Sequence, residues 1–96
     1  MSKRFNRYKL QLDEVELKSG DSGTQSIQFE FENHDDIFKI IEVLNDKKLF
    51  KGENDNISFA IGLKMFSEVM LKNKDNSLFK DFLPAFGQFM KVLKAK

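Results

Sequence analysis

Residues 7–12 read Arg-Tyr-Lys-Leu-Gln-Leu and residues 27–32 read Ile-Gln-Phe-Glu-Phe-Glu, with an apolar side chain at every second position. That period of two is the mark of a strand buried on one face only. An antiparallel pairing that sets Leu10 opposite Phe29 also sets Tyr8 opposite Phe31 and Leu12 opposite Ile27 on one face. On the other face it sets Lys9 opposite Glu30 and Arg7 opposite Glu32. One register satisfies both faces, so a hairpin is expected, with strands over about 5–17 and 25–32.

The same register accounts for an uneven charge distribution. Residues 1–12 hold four cations and no acid, residues 13–36 hold eight acids against the single Lys18, and the whole chain is only +1. The basic start of the first strand lies over the acidic end of the second. Each such pair is worth roughly 0.2–1 kcal/mol. Beyond Leu12 the apolar positions change parity to Val15 and Leu17, which calls for a bulge near Asp13 and Glu14. Residues 19–24, with Gly20 and Gly23, read as the loop at the tip.

Three helices are expected after the hairpin. The first spans about 34–46, capped by Asn33, with Asp35 and Asp36 in its first turn and Ile37, Ile40, Ile41 and Leu44 as its stripe. Residues 45–56 read as a loop anchored by Leu49 and Phe50. The second helix, about 56–73, is apolar around most of its circumference, with Phe59, Leu63, Phe66 and Met70 on one side. Ile57, Ile61, Met65 and Val69 spread beyond that side, and only Lys64, Glu68 and Lys72 form a polar ridge. A helix of that kind is central in its own domain or shares a face with another chain. Gly62 within it costs about 0.8–1 kcal/mol relative to Ala, which suggests close approach of another backbone, in the same chain or across a dimer. The third helix, about 77–94, carries Leu78, Phe79, Phe82, Leu83, Phe86, Phe89, Met90 and Leu93 on one side. Pro84 should kink it or start a new helix after a short turn. The fold class is α+β, a hairpin followed by three helices packed on one face, in a single domain over 1–96.

Composition excludes several functions. With no cysteine there are no disulfides, thiolate metal sites or thiol nucleophiles, as a reducing compartment permits. No stretch combines a basic start with a signal-length apolar run, and none approaches the roughly 20 apolar residues of a membrane span, so a cytoplasmic protein with no membrane partner is expected. The glycines at 20 and 23 precede a strand and not a helix, so they form no phosphate loop. No cofactor is implied.

The densest polar cluster is Asn33, His34, Asp35 and Asp36, which holds the only histidine. A histidine beside acids can move a proton, yet consecutive residues point in different directions and cannot converge alone. His34, Asp35 and Glu68 are therefore the only catalytic candidates, and Lys64, Lys72 and Phe59 the binding candidates, with no metal site. The plainer reading makes the cluster a helix cap, makes Glu68 and Lys72 an exposed helix pair, and sends Phe59, Phe66, Phe86 and Phe89 to the core. Ser67 has no histidine placed to activate it. The lysines at 91, 94 and 96 complement a helix C-terminus.

Three blocks, Asn33-His34-Asp35-Asp36-Ile37-Phe38, then Gly62 through Lys72, then Pro84-Ala85-Phe86-Gly87-Gln88-Phe89-Met90, give the chain a further reading. From about Tyr8 to Lys94 it resembles a bacterial family named Domain of Unknown Function 3861. The resemblance implies a small bacterial protein and supplies no activity, ligand or catalytic residue.

The function expected from these residues is a non-enzymatic interaction or assembly module, self-associating or bound to another protein through surplus apolar surface on the second helix or an open strand edge. The alternative is a small-ligand binder or enzyme with a pocket between helices near His34, Asp35, Lys64 and Glu68. Nucleic-acid binding through Arg4, Arg7 and the lysine tail is disfavoured by the near-zero net charge.

Overall fold

The structure, a computed structural model, describes residues 4–52 and 54–96 and falls into two compact units, Met1–Asp35 and Asp36–Lys96. The first is a hairpin of β1 (Asn6–Asp13) and β2 (Ser26–Asn33), paired antiparallel. Its register is the expected one, Leu10 opposite Phe29, Tyr8 opposite Phe31 and Leu12 opposite Ile27. The ion pairs are redistributed. Arg7 takes both acids, its Nε 3.6 Å from Glu30 and its Nη2 3.9 Å from Glu32, because a long guanidinium reaches the diagonal neighbour as well as the opposite one. Both pairs are exposed and contribute little each.

The regular first strand stops at Asp13, four residues short of expectation. Glu14 N–H still donates to the Gln25 carbonyl at 2.9 Å, but next Gly23 N–H donates to Val15 at 3.0 Å, and Glu16 bridges Ser22. The pairing has slipped by one, as the parity change at Val15 required. The extra residue sits on the returning arm, at Thr24, and not at Asp13 and Glu14. The slip leaves two amides without ladder partners, and the Glu14 carboxylate accepts from both, Thr24 N–H at 3.3 Å and Gln25 N–H at 3.0 Å.

Gly23 makes this turn possible. A Cβ there would stand 2.6 Å from the Glu14 carbonyl carbon and 2.7 Å from its oxygen, and closer still to the Glu14 Cβ. Backbone atoms cannot move aside, so Gly23→Ala is expected to open the tip. The cost is on the order of 1 kcal/mol, bounded by the small stability of the tip itself. Hydrogen exchange checks it: the Gly23 and Gln25 amides should lose protection while those of the helical unit keep theirs.

The second unit contains α1 (Ile37–Lys47), α2 (Asp55–Lys72), α3 (Ser77–Lys80) and α4 (Leu83–Lys94). The cap of α1 is Asp36, whose side chain accepts from Lys39 N–H at 3.2 Å, and not Asn33. Asn33 is already the last residue of β2, paired with Asn6, and so cannot begin a helix. The chain leaves α1 through Lys48 in the left-handed conformation. It is then held by Asn56, buried at the start of α2, which accepts from Phe50 N–H at 3.2 Å and donates to the Phe50 carbonyl at 3.4 Å.

The described residues form four helices where three were expected, the third being divided before Pro84. Asn76 caps α3 by accepting from Leu78 N–H at 2.9 Å, Asp81 and Phe82 turn, and α4 starts with Pro84 in its first turn, where a missing N–H costs nothing. This is the short turn that Pro84 allowed, and not a kink. Helices α1 and α2 pack together, and the buried apolar side chains among the described residues, Ile37, Leu44, Ala60 and Met70, lie on these two. Phe66 of α2 meets Phe79, Phe82 and Phe86, each ring centre 6.0–6.4 Å away in edge-to-face geometry.

The expected apolar side of α2 is largely the covered one, with Met70 buried and Phe59 and Leu63 half-buried, but the covering is uneven. Phe66 is 44% exposed, Val69 and Leu71 are exposed, and Lys64 and Glu68 are half-buried where an exposed ridge was expected. A helix apolar all round has no single preferred side. Gly62 faces open space: among the described residues nothing beyond its own helix backbone lies within 4 Å of where a Cβ would stand. The intrachain half of the close-approach explanation therefore fails. In the monomeric chain Gly62→Ala should raise the unfolding free energy by about 0.8–1 kcal/mol, measured by urea denaturation.

Candidate functional site

The hairpin unit holds His34 and Asp35 where β2 ends. Asn33 is buried, and its Oδ1 accepts from Asp35 N–H at 3.0 Å. The Asp35 carbonyl accepts from the Tyr8 hydroxyl at 3.0 Å, and that hydroxyl in turn accepts from Asn6 Nδ2 at 3.1 Å. The His34 ring meets Phe5 edge-on at 4.5 Å between centres. These contacts hold the end of β2 within the hairpin unit. They are what a strand exit needs, and they already engage the polar cluster that the sequence singled out.

The other candidates lie in the helical unit. Phe59 is half-buried between Phe50, 5.1 Å away, and Phe89, 6.3 Å away, so it is a packing ring. Lys64, Glu68 and Lys72 follow one another at single-turn spacing along α2, the first two half-buried and engaged, the third exposed in the last turn. Ser67 donates its hydroxyl to the Lys64 carbonyl at 3.4 Å, a local helix contact and not a nucleophile's. No group of three or more His, Asp or Glu side chains among the described residues could hold a metal ion.

A surface concavity lies at the outer half of the hairpin, lined by Leu12, Asp13, Glu14, Gln25, Ser26 and Ile27. Its carboxylates are occupied. Asp13 accepts from the Ser26 hydroxyl at 2.5 Å and from Gln11 Nε2 at 3.1 and 3.2 Å, while Glu14 serves the slipped amides. The apolar part is open, Leu12 being 67% and Ile27 61% exposed. Sequence reasoning missed this feature. The alternation assigns a strand its apolar face without saying how far along the strand that face is covered.

The Ser26 hydroxyl, and after it the Gln11 amide, hold the Asp13 carboxyl below its ordinary value. A carboxyl whose folded pKa is depressed stabilises the fold above its unfolded pKa, and that contribution is lost as pH falls through the folded value. The pairing next to Asp13 should therefore loosen only in acid, below the ordinary aspartate range. Following the Asp13 carboxyl by NMR should give a midpoint below that of an unfolded aspartate, and Ser26→Ala should move it back up.

The family model described as Domain of Unknown Function with solved-structure structure (DUF3861) matches residues 6–95, nearly the whole chain. The chain belongs to the DUF3861 family. A solved structure with the same architecture is the crystal structure of a protein of unknown function (eca1910) from Pectobacterium atrosepticum SCRI1043. It has 34% sequence identity and a TM-score of 0.81, over 96% of this chain and 99% of that one. No curated protein matches. Both similarities place this DUF3861 chain beside a domain and a protein of unknown function. No helix among its described residues is long and apolar enough to cross a membrane.

Proposed function

We propose that this DUF3861 protein is an assembly module that acts by self-association, without a catalytic centre of its own. The observation that carries the reading is the open apolar row on the hairpin. Tyr8, Leu10 and Phe31 are half-buried, but Leu12, Ile27 and Phe29, next along the same face, are exposed. A two-stranded sheet is too thin to cover itself, and an alternating strand with its apolar side in water is normally completed by a further strand or chain. The cysteine-free composition suits a reducing cytoplasm.

The rival reading, a ligand or proton-transfer site built from His34, Asp35, Lys64 and Glu68, gains no support from the hairpin. There the backbone on both sides of Asp35 is committed to Asn33 and Tyr8, and the His34 ring to Phe5. The test is light scattering coupled to size exclusion on the full chain. A dimer mass that persists into the low micromolar range is expected, and a monomer mass up to several hundred micromolar would overturn the proposal.

A further inference from the structure

Which surface two copies would share follows from the charge order along β1. Glu14 N–H donates to the Gln25 carbonyl, so that pair is a hydrogen-bonded one, and antiparallel ladders alternate. The even-numbered residues of β1 thus bond inward to β2, and the backbone groups of Arg7, Lys9, Gln11 and Asp13 face the other edge. Among the described residues the sheet has two strands, β1 and β2, and none of them forms a strand beside that edge.

We propose that two copies pair through this edge of β1, antiparallel about a two-fold axis at Leu10, giving a four-stranded sheet in the order β2-β1-β1-β2. The inference rests on the self-association reading above and names its surface. In this register the outward-facing residues hydrogen-bond to one another, Lys9 with Gln11 of the partner subunit and Arg7 with the partner's Asp13. The non-bonded pairs are Leu10 with the partner's Leu10 and Tyr8 with the partner's Leu12, so the apolar rows of the two copies become continuous and Leu12 gains an aromatic neighbour.

Other pairings fit less well. Moving the axis to Lys9 sets two lysines face to face, and moving it to Gln11 sets Tyr8 opposite Glu14. Pairing β2 with itself sets Glu30 and Glu32 against Ser26, Gln28 or each other, with no cation to meet them. Only β1 is basic at its start and acidic at its end, which is the order an antiparallel copy of itself requires. Within its own chain Arg7 makes exposed contacts of 3.6 and 3.9 Å to Glu30 and Glu32, and a guanidinium has donors to spare for a third carboxylate.

The test is a charge swap read by mixing. Alone, Arg7→Asp opposes two acids at each end of the paired strands and Asp13→Arg opposes two cations, so each variant should dissociate at least about ten-fold more readily than the parent chain. Mixed in equal amounts they should form a heterodimer, since both crossing pairs are then opposite in charge. Damage to a variant's own hairpin cannot be repaired by mixing. A second readout is Leu10→Cys, which in this cysteine-free chain should give a covalent dimer on mild oxidation. It stands in wherever circular dichroism shows a charge variant to be unfolded. A dimeric parent chain with neither rescue nor cross-link overturns the β1 edge and leaves self-association standing; a monomeric parent chain overturns both.

Discussion

Met70→Ala is expected to lower the unfolding free energy by about 2–5 kcal/mol, the largest effect of any single truncation in this chain. Among the described residues Met70 is the one large side chain with no exposed surface, and it lies on α2, which with α1 carries their four buried apolar residues. Its removal withdraws the transfer free energy of a long side chain and leaves a cavity that the surrounding structure closes only in part. With a domain of this size a change of that order lowers Tm on the order of 10–30 °C. Urea denaturation followed at 222 nm measures it. Val69→Ala, one position along the same helix but exposed, should stay within about 0.5 kcal/mol. Equal losses at the two positions would mean that the helix is rotated from the orientation described here.

The contrast between neighbouring positions of α2 shows where sequence reading ends. The hairpin was legible because two independent patterns, apolar alternation and charge order, agreed on one register, and the structure has that register. Helix α2 offered no such agreement. When nearly every face is apolar, hydropathy establishes that the helix is surrounded without revealing which side meets which neighbour. Ala60 is fully buried while Phe66, 44% exposed, is covered on one side by the rings of Phe79, Phe82 and Phe86, a division that hydropathy alone does not dictate. The α1 cap failed for another reason: Asn33, Asp35 and Asp36 are all competent caps, and the choice fell to Asp36 because β2 keeps the backbone of Asn33. Pro84 marked a boundary but left open a kinked helix or a new helix after a short turn, and the structure has the turn.

The candidate site was legible as a cluster and not as a role. Asn33, His34 and Asp35 do stand together, yet what occupies them comes from residues far earlier in the chain, Phe5, Asn6 and Tyr8, which the antiparallel pairing brings alongside. Polar density in a sequence is therefore a poor guide here, because a strand that ends and turns toward a helix needs the same residue types as a proton-transfer site. The open face at Leu12 and Ile27 is the reverse case, two ordinary apolar residues whose exposure only the structure reports.

Asn56→Leu is expected to cost about 1–3 kcal/mol, although it exchanges a polar buried side chain for an apolar one of similar size. Such exchanges are near neutral when both partners of a hydrogen bond are removed together. Here the partners are the backbone N–H and carbonyl of Phe50, which no substitution can remove, and the Asn56 amide meets both at once, accepting at 3.2 Å and donating at 3.4 Å. Asn56→Asp keeps the acceptor and loses the donor, so it should fall between leucine and the parent residue near neutral pH. The loss should be local as well as global: the Phe50 ring packs edge-on against Phe59, so freeing the backbone at 50 also loosens that contact. Hydrogen exchange at the Phe50 amide, which the side chain of Asn56 alone protects from within the chain among the bonds described, should accelerate in the leucine variant before that of the α2 interior. An unchanged Phe50 amide together with an unfolding free energy within about 0.5 kcal/mol of the parent chain would show that water satisfies these groups equally well and that Asn56 holds nothing in place.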